Sequence, residues 1–280
     1  MDAHGFQTLR VERDGPIAWV TIDHPPVNLM DAAMIGDLAQ LVTGLETDDA
    51  TRVVVLRSAD PEFFVAHADL TLIQALPRDP RPAPAELDFF PALMERIRTL
   101  PQVTMAAVEG IARGGGSELA LSLDLRFAAL GRAVFSQPEV AIGVVPGGGG
   151  TQRLARLVGR GRALEAVLGC DDFDAATAER YGWVNRALPP EELAPFVERL
   201  ARRIASFPSD AVRLTKEAVD AALPSPMAGL LVEAAAWNRV LTDPALDARF
   251  AAALAAGAQT REGERDLPGL IDRTIAESRP

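Results

Sequence analysis

The sequence predicts an α/β fold, because strand-like and helix-like patterns alternate through its first half. Residues 17–22 are rich in strand-forming side chains, and residues 53–56 form a continuous apolar run typical of a strand buried on both faces. Between them, apolar residues recur at helical spacing at Met34, Leu38, Leu41, Val42 and Leu45. Strand, helix and strand in this order indicate α/β wrapping.

The other elements before the central glycines follow from similar patterns. In chain order we expect two strands within residues 6–23, a strand from residue 63 that breaks into a turn, a mobile proline-rich surface loop over residues 77–91, a helix over 89–100 and a buried strand over 103–108. This last strand delivers the chain to Gly110.

The second half is predicted to be mostly helical. We expect helices over residues 151–168, 174–181, 191–207, 209–223 and 226–241, with a strand over 184–188 and no strand beyond it. The arginines of the 151–168 helix are expected on a solvated or subunit-facing surface. The chain divides at about Pro208 into a core, residues 1–207, and a helical region, residues 208–280. The tail beyond about Leu254 receives no role, apart from one more helix near Leu270.

Composition narrows the class of partner. The chain has 280 residues, of which 48% are hydrophobic and 24% charged, as in an ordinary soluble protein. A net charge of -11 argues against a nucleic-acid or anionic-membrane partner. Cys170 is the single cysteine, so no intramolecular disulfide forms, and small apolar filler is its expected role. No signal-peptide pattern opens the sequence, so a cytoplasmic location is expected.

Two glutamates lie beside glycine clusters between Gly110 and Thr151. Glu118 follows three glycines at a predicted strand-to-helix junction, where backbone N–H groups could stabilise an oxyanion. Glu139 precedes an apolar segment that would desolvate its carboxyl group and raise its pKa, as a general acid requires. The alternative for both is a surface carboxylate that stabilises a helix start. Together, they could hold one water molecule between them.

Other catalytic templates do not fit. Ser117 lacks the second glycine of a nucleophile elbow, and the glycines at 147–150 are followed by Thr151 and Gln152 instead of a phosphate-loop lysine. His4, His24 and His67 are scattered without metal-ligand spacing. We therefore expect no metal site.

Four ordered segments resemble the crotonase (enoyl-CoA hydratase/isomerase) family over about the first 220 residues. These are residues 64–70, the glycine-rich run 110–120, the segments 135–139 with 143–154, and residues 174–185. His67 departs from the pattern, because it replaces a glycine common beside the oxyanion alanine. It is expected either to alter the backbone there or to line the pocket.

The resemblance implies a spiral of ββα units, followed by an α-helical trimerisation region, that acts on an acyl-CoA thioester. Glu118 and Glu139 match the family's catalytic glutamates, and the N–H groups of Ala68 and Gly115 match its oxyanion hole. Substrate contacts are implied for Pro26, Val27, Leu29, Ala66, His67, Asp69, Leu70, Gly114, Pro138 and Gly147. The resemblance implies no cofactor beyond the coenzyme A of the substrate, and a homotrimer or a dimer of trimers.

Both glutamates together favour hydration of a 2-enoyl-CoA to a 3-hydroxyacyl-CoA. Two alternatives stay open at this point. One is a Δ3-Δ2-enoyl-CoA isomerase or another crotonase-type acyl-CoA lyase, which would use the same hole with one glutamate. The other is a non-catalytic acyl-CoA-binding protein. A serine-protease relative is disfavoured because no Ser–His–Asp set is identifiable.

Overall fold

The computed structural model describes residues 5–277 and contains two sheets. The strands are β1 Leu9–Asp14, β2 Ile17–Ile22, β3 Val53–Ser58, β4 Phe63–Val65, β5 Val103–Val108, β6 Ile111–Arg113, β7 Leu125–Ala129, β8 Val134–Ser136, β9 Phe173–Asp174 and β10 Arg186–Leu188. The prediction of an α/β fold is therefore confirmed.

From β3 to β8, successive strands alternate between the two sheets. One sheet has the order β1-β2-β3-β5-β7-β10 and the other β4-β6-β8-β9. The β1–β2 and β8–β9 pairs are antiparallel, and the pairs along the centre of both sheets are parallel. In this stretch each successive pair of strands adds one strand to each sheet before a helical segment follows, which brings β4, β6 and β8 side by side.

The helices connect and cover these sheets. They are α1 Ala32–Leu45, α2 Leu70–Gln74, α3 Phe89–Arg98, α4 Gly115–Ser122, α5 Gly150–Val158, α6 Arg160–Gly169, α7 Ala175–Tyr181, α8 Pro190–Ala205, α9 Ser209–Asp220, α10 Met227–Val240, α11 Leu246–Ala255, α12 Arg261–Glu264 and α13 Leu267–Glu277. A short 3-10 turn spans Glu139–Ile142. No helix among residues 5–277 is long and apolar enough to cross a membrane.

Strand β3 is buried on both faces, as its apolar run predicts. Val54 and Leu56 face the main core, which also contains α1 and α4. Val53 and Val55 face a second core formed with α8. Because side chains alternate across a strand, an unbroken run of valine and leucine supplies both cores at once.

Several details differ from the sequence prediction. The predicted helix over 151–168 is two helices, α5 and α6, separated by Gly159 at φ 82°. A positive φ costs glycine little conformational energy, and it interrupts the helix. The sequence prediction also lacks the strands β7, β8 and β9 and the helices α2, α11 and α12. The shortest of them, β9, has two residues, which carry too little pattern to be recognised.

The tail beyond Leu254 has a structural role that the sequence did not reveal. Ala258, and Leu270 of α13, share an apolar cluster with Leu70 and Ile73 of α2 and with Val144. The tail therefore packs against the segments that follow β4 and β8, directly beside the cavity described next.

Candidate active site

A cavity of about 610 Å³ lies where α4, the 3-10 turn, α2 and the tail meet. Both candidate glutamates and the glycines at 114 and 115 line it, together with Trp237 and apolar residues of α13. Apart from these glutamates, most of the lining is apolar, so an apolar group fits beside two carboxyl groups.

Glu118 is held in a fixed orientation on the first turn of α4. Its side chain is 3% exposed, and Oε1 accepts hydrogen bonds from the N–H groups of Gly148 at 2.7 Å and Gly150 at 2.8 Å. A Cβ at either glycine would come within 3.0 Å of a Glu118 carboxylate oxygen. Glycines are therefore required here because the loop backbone must approach the carboxylate closely.

Burial raises the pKa of Glu118 to about 7, and the nearby charge of Glu233 adds to this effect. The N–H groups of Gly148 and Gly150 act in the opposite direction, because they stabilise the ionised form. A carboxyl group with such a pKa can accept or release a proton near neutral pH.

Glu139 begins the 3-10 turn and presents its carboxyl group to the same cavity. Burial, followed by the charge of Glu118, holds the pKa of Glu139 well above its ordinary value. With its amide nitrogen turned towards the carboxylate, Gln137 donates to the two Glu139 oxygens at 2.8 and 3.1 Å. Two interacting carboxyl groups with raised pKa values are suited to exchanging protons with one substrate.

Gly115, at the start of α4, lies directly against Ala68. A Cβ built on Gly115 would be 3.5 Å from the Ala68 nitrogen. Within residues 5–277, neither N–H has a backbone or side-chain acceptor, and both residues line the cavity. Two free donors beside an apolar cavity can bind a carbonyl oxygen on which negative charge develops.

Gly116 holds the start of α4 against β4, and so sets the distance between these two donors. A Cβ at Gly116 would lie 2.3 Å from the Val65 carbonyl oxygen, whereas a Cβ at Gly115 meets nothing closer than 3.4 Å. We expect Gly116→Ala to lower the free energy of unfolding by about 1–3 kcal/mol or more, as overpacking does. Gly115→Ala is the control in a denaturant titration and should unfold close to wild type. Equal stability of the two variants would contradict this packing argument.

The structure brings some of the predicted substrate contacts to the cavity and leaves others outside it. The lining contains His67, Leu70, Gly114, Pro138 and Gly147. The remaining five, Pro26, Val27, Leu29, Ala66 and Asp69, are outside that lining.

These five have other local surroundings. Val27 and Ala66 are buried in a small cluster with Leu29 packed against it. The Pro26 carbonyl accepts a hydrogen bond from Arg261 at 2.7 Å, and Asp69 caps α2. Contacts from these residues to a substrate stay predictions.

Glu233 of α10 is a third buried carboxylate at the site, and sequence reasoning missed it. It accepts hydrogen bonds from the N–H groups of Gly149 at 2.6 Å and Thr151 at 2.9 Å, and from the Thr151 hydroxyl. Glu118 and Glu233 therefore hold alternate N–H groups of the same loop. A lone glutamate in the otherwise apolar helix pattern of residues 227–237 was the available signal.

Arg153 corrects the expectation of a solvated or subunit-facing arginine. It is 5% exposed, donates to the Gly148 carbonyl at 2.6 Å and pairs with Glu95 at 2.9 Å. Its guanidinium thus supports the glycine loop through the Gly148 carbonyl. Arg156 of the same helix is not buried and donates to the carbonyls of Pro224 and Ser225.

Glu233→Gln should move the acidic limb of the activity–pH profile to lower pH. The Glu233 charge helps to raise the pKa of Glu118, so its removal lowers that pKa, while Glu139 and Arg153 remain as the other charges facing Glu118. The measurement is kcat/KM between pH 5 and 9, with the exposed-surface variant Glu198→Gln as control. An unshifted acidic limb in Glu233→Gln would contradict this electrostatic role.

His67 lines the cavity and contacts the tail, which answers the question raised by its replacement of a glycine. Its Nδ1 is 2.7 Å from the Ala68 carbonyl oxygen and its Nε2 is 2.9 Å from Glu264 Oε1. Its backbone does not have a positive φ, so the histidine does not force the chain into a conformation that needs glycine.

No group of three or more His, Cys, Asp or Glu residues among those described could hold a metal ion.

The enoyl-CoA hydratase/isomerase family model matches residues 12–238. Two curated relatives cover much of the chain. A crotonyl-CoA hydratase of Syntrophomonas wolfei is 36% identical over 220 residues, which is 77% of this chain and 82% of the relative. A short-chain-enoyl-CoA hydratase of Clostridium acetobutylicum is 35% identical over 215 residues, 75% of this chain and 80% of the relative.

Solved structures agree with these sequence relatives. A Streptomyces avermitilis protein assigned to the enoyl-CoA hydratases superposes with a TM-score of 0.90 at 44% identity, over 97% of this chain and 100% of that one. An enoyl-CoA hydratase from Bacillus anthracis gives a TM-score of 0.70 at 30% identity, over 85% of this chain and 92% of that one. By sequence and by structure, the chain belongs to the enoyl-CoA hydratase/isomerase family, the crotonase family of enzymes.

Proposed function

We propose that the protein hydrates a 2-enoyl-CoA to a 3-hydroxyacyl-CoA by a two-glutamate mechanism. The observation that carries this proposal is the pair of carboxyl groups, Glu118 and Glu139, which line one cavity and both have a raised pKa, mainly because of burial. The relatives named as hydratases support it. An isomerase or lyase of the same family would need only one of the two groups.

The substrate carbonyl binds first to the N–H groups of Ala68 and Gly115. These donors stabilise the enolate oxygen that forms when water adds to the conjugated double bond, and loss of one such donor typically costs about 3–4 kcal/mol in the barrier. The thioester and the hole together supply the electrophilic activation. The reaction therefore requires no metal ion and no redox cofactor.

The two glutamates then divide the proton transfers. Glu118, with a pKa of about 7, orients the water and takes its proton as the oxygen attacks C3. Glu139, whose pKa is held well above its ordinary value, binds the same water and protonates C2 as the enolate collapses. The proton that Glu118 took from the water then passes to Glu139, which restores both carboxyl groups. The product has gained a hydroxyl group at C3 and a hydrogen at C2, so one water is consumed in balance.

We also propose that the alternation of strands between two sheets forms a spiral of ββα units, and that residues 208–280 mediate trimerisation. Large apolar side chains lie exposed on α9 and α10, among them Leu214, Val219 and Val232, and such surfaces typically mark contacts between chains. Light scattering after gel filtration should give the mass of three or six chains. A monomer would contradict this proposal.

The direct test of function is incubation of the purified protein with crotonyl-CoA. Hydration removes the conjugated double bond, so the enoyl absorbance falls and 3-hydroxybutanoyl-CoA accumulates. Conversion of a 3-enoyl-CoA without loss of the conjugated substrate would favour the isomerase. Binding without any turnover would favour a non-catalytic protein, and either result would overturn the proposal. A panel of short, long, branched and aromatic enoyl-CoAs then defines the acyl group.

A further inference from the structure

The tail contacts the residues on both sides of the oxyanion donor Ala68. Gln259 Nε2 donates to Asp69 Oδ1 at 2.8 Å, and Glu264 Oε1 lies 2.9 Å from His67 Nε2. The same Glu264 oxygen accepts the Gln259 N–H at 2.8 Å, so the two tail residues are also bonded to each other. We call Gln259 and Glu264 the clasp.

The backbone around Ala68 is fixed by its carbonyl groups and leaves its N–H free. The His67 carbonyl accepts from Met30 N at 2.9 Å, and Asp69 N donates to the Met30 carbonyl at 3.1 Å. The Ala68 carbonyl faces His67 Nδ1 at 2.7 Å. The peptide that carries the Ala68 N–H is thus held by Met30, and the His67 side chain spans the same peptide from its own Cα to the Ala68 carbonyl oxygen. The His67 ring is held in turn by Glu264.

The His67–Glu264 pair is buried and charged. Burial opposes protonation of His67, but the charge and hydrogen bond of Glu264 outweigh it, so the pKa of His67 is raised. Burial likewise opposes ionisation of Glu264, but His67, followed by the Gln259 N–H and Arg113, lowers the pKa of Glu264 to about 2. A doubly protonated ring satisfies both acceptors, Ala68 and Glu264, at once.

Arg113 holds the clasp from the interior. It is 1% exposed, pairs with Asp172 through two nitrogens at 2.8 and 2.7 Å, and donates to the Glu264 carbonyl at 2.6 Å and to Oε2 at 3.2 Å. Glu264 is thus bonded through its carbonyl and both carboxylate oxygens. Such a fully bonded group has one orientation, unlike an exposed ion pair.

We propose that His67 is a positioning residue that sets the oxyanion hole, and that it does so only when the clasp of the tail is docked. Gln259 and Glu264 lie beyond residues 12–238, which the family model matches. A donor must lie within about 0.5 Å of its productive position, so loosening the clasp weakens charge stabilisation in the transition state more than binding of the ground state. The inference rests on the proposed function, because it assigns the hole to a thioester carbonyl.

The test compares His67→Ala, His67→Asn, Glu264→Gln and Gln259→Ala with wild type. His67→Ala should lower kcat for crotonyl-CoA by about 10–100-fold with KM within about threefold, because a small misplacement of a catalytic group has an effect of this size. His67→Asn keeps a donor near the Ala68 carbonyl and should recover part of that loss. Arg265→Gln, which removes an exposed pair between the tail and Glu62, is the matched control and should stay within about twofold.

A second measurement probes the oxyanion hole with a bound thioester that does not react. Butanoyl-CoA labelled with ¹³C at C1 cannot be hydrated, and difference infrared spectroscopy gives its carbonyl stretch when bound. The frequency should fall on binding to wild type and to Arg265→Gln. The carbonyl frequency should fall less on binding to His67→Ala and Glu264→Gln. If His67 and Glu264 only stabilised the fold, the folded fraction of each variant would show the same frequency shift as wild type.

The outcomes separate this inference from the proposed function. If wild type lowers the carbonyl frequency but does not hydrate, the proposed function fails and the spectral comparison still decides the role of His67. Wild-type kcat and frequency in His67→Ala and Glu264→Gln would overturn the inference, as would the absence of any shift in wild type. Melting curves show whether each variant is folded. If His67→Ala and Glu264→Gln are unfolded, the less disruptive Gln259→Ala decides the question through the same two measurements, kcat and the carbonyl frequency.

Discussion

Glu139→Gln should abolish hydration of a 2-enoyl-CoA while acyl-CoA binding stays close to wild type. The amide has nearly the same shape but cannot release a proton to C2, and a general acid typically contributes about 10²–10⁴-fold to a rate. Because the variant also loses one contact to the attacking water, we expect kcat to fall by at least about 10³-fold. The measurements are steady-state hydration of crotonyl-CoA and calorimetric binding of butanoyl-CoA.

A matched control isolates the position from the chemical change. Glu262 is exposed on α12, away from the cavity lining, so Glu262→Gln makes the same substitution and should keep wild-type activity. Undiminished turnover by Glu139→Gln would contradict the two-carboxylate assignment. Weakened butanoyl-CoA binding would instead mean that Glu139 holds the ground state.

The sequence could predict those parts of the site that are close together in the chain. Glu118 follows its glycines within four residues, so the helix start and the adjacent backbone donor are visible as one motif. The strands β3 and β5 can also be predicted, because a short, continuous apolar run is typical of a buried strand. Local patterns of this kind require no knowledge of tertiary contacts.

The missed residues are those whose partners lie far away in the chain. Glu233 bonds to residues 82 and 84 positions earlier, and His67 and Glu264 are 197 positions apart. Periodicity shows which face of a helix is buried but not which element covers it, so these pairs emerge only from packing. Arg153 was misjudged for the same reason: its carboxylate partner, Glu95, is supplied by α3.

Glu118→Gln should lower kcat by a similar factor, at least about 10³-fold, because no group remains to deprotonate the attacking water. The amide oxygen can still accept from Gly148 and Gly150, so the glycine loop should keep its conformation. The measurement is crotonyl-CoA hydration, with butanoyl-CoA binding as evidence that the site is intact. Turnover above about one tenth of wild type would contradict the role of Glu118 as the base.

The pH dependence of wild-type activity is a second, independent test of the role of Glu118 as the base. In wild type, kcat/KM should fall as the pH drops below about 7, because burial raises the pKa of Glu118 to about 7 and the base must be ionised. Because Glu118, Glu139 and Glu233 interact, the apparent pKa values of the activity–pH profile belong to the three carboxyl groups together.

The same raised pKa affects stability with a defined sign. Between the ordinary value of 4.5 and about 7, the folded protein binds more protons at Glu118 than the unfolded chain does. The free energy of unfolding of wild type therefore falls as the pH rises through this interval. Glu118→Gln cannot titrate, so its stability should fall less over the same range in denaturant titrations. Parallel pH dependences of the two proteins would show that Glu118 is not the group whose ionisation is suppressed by burial.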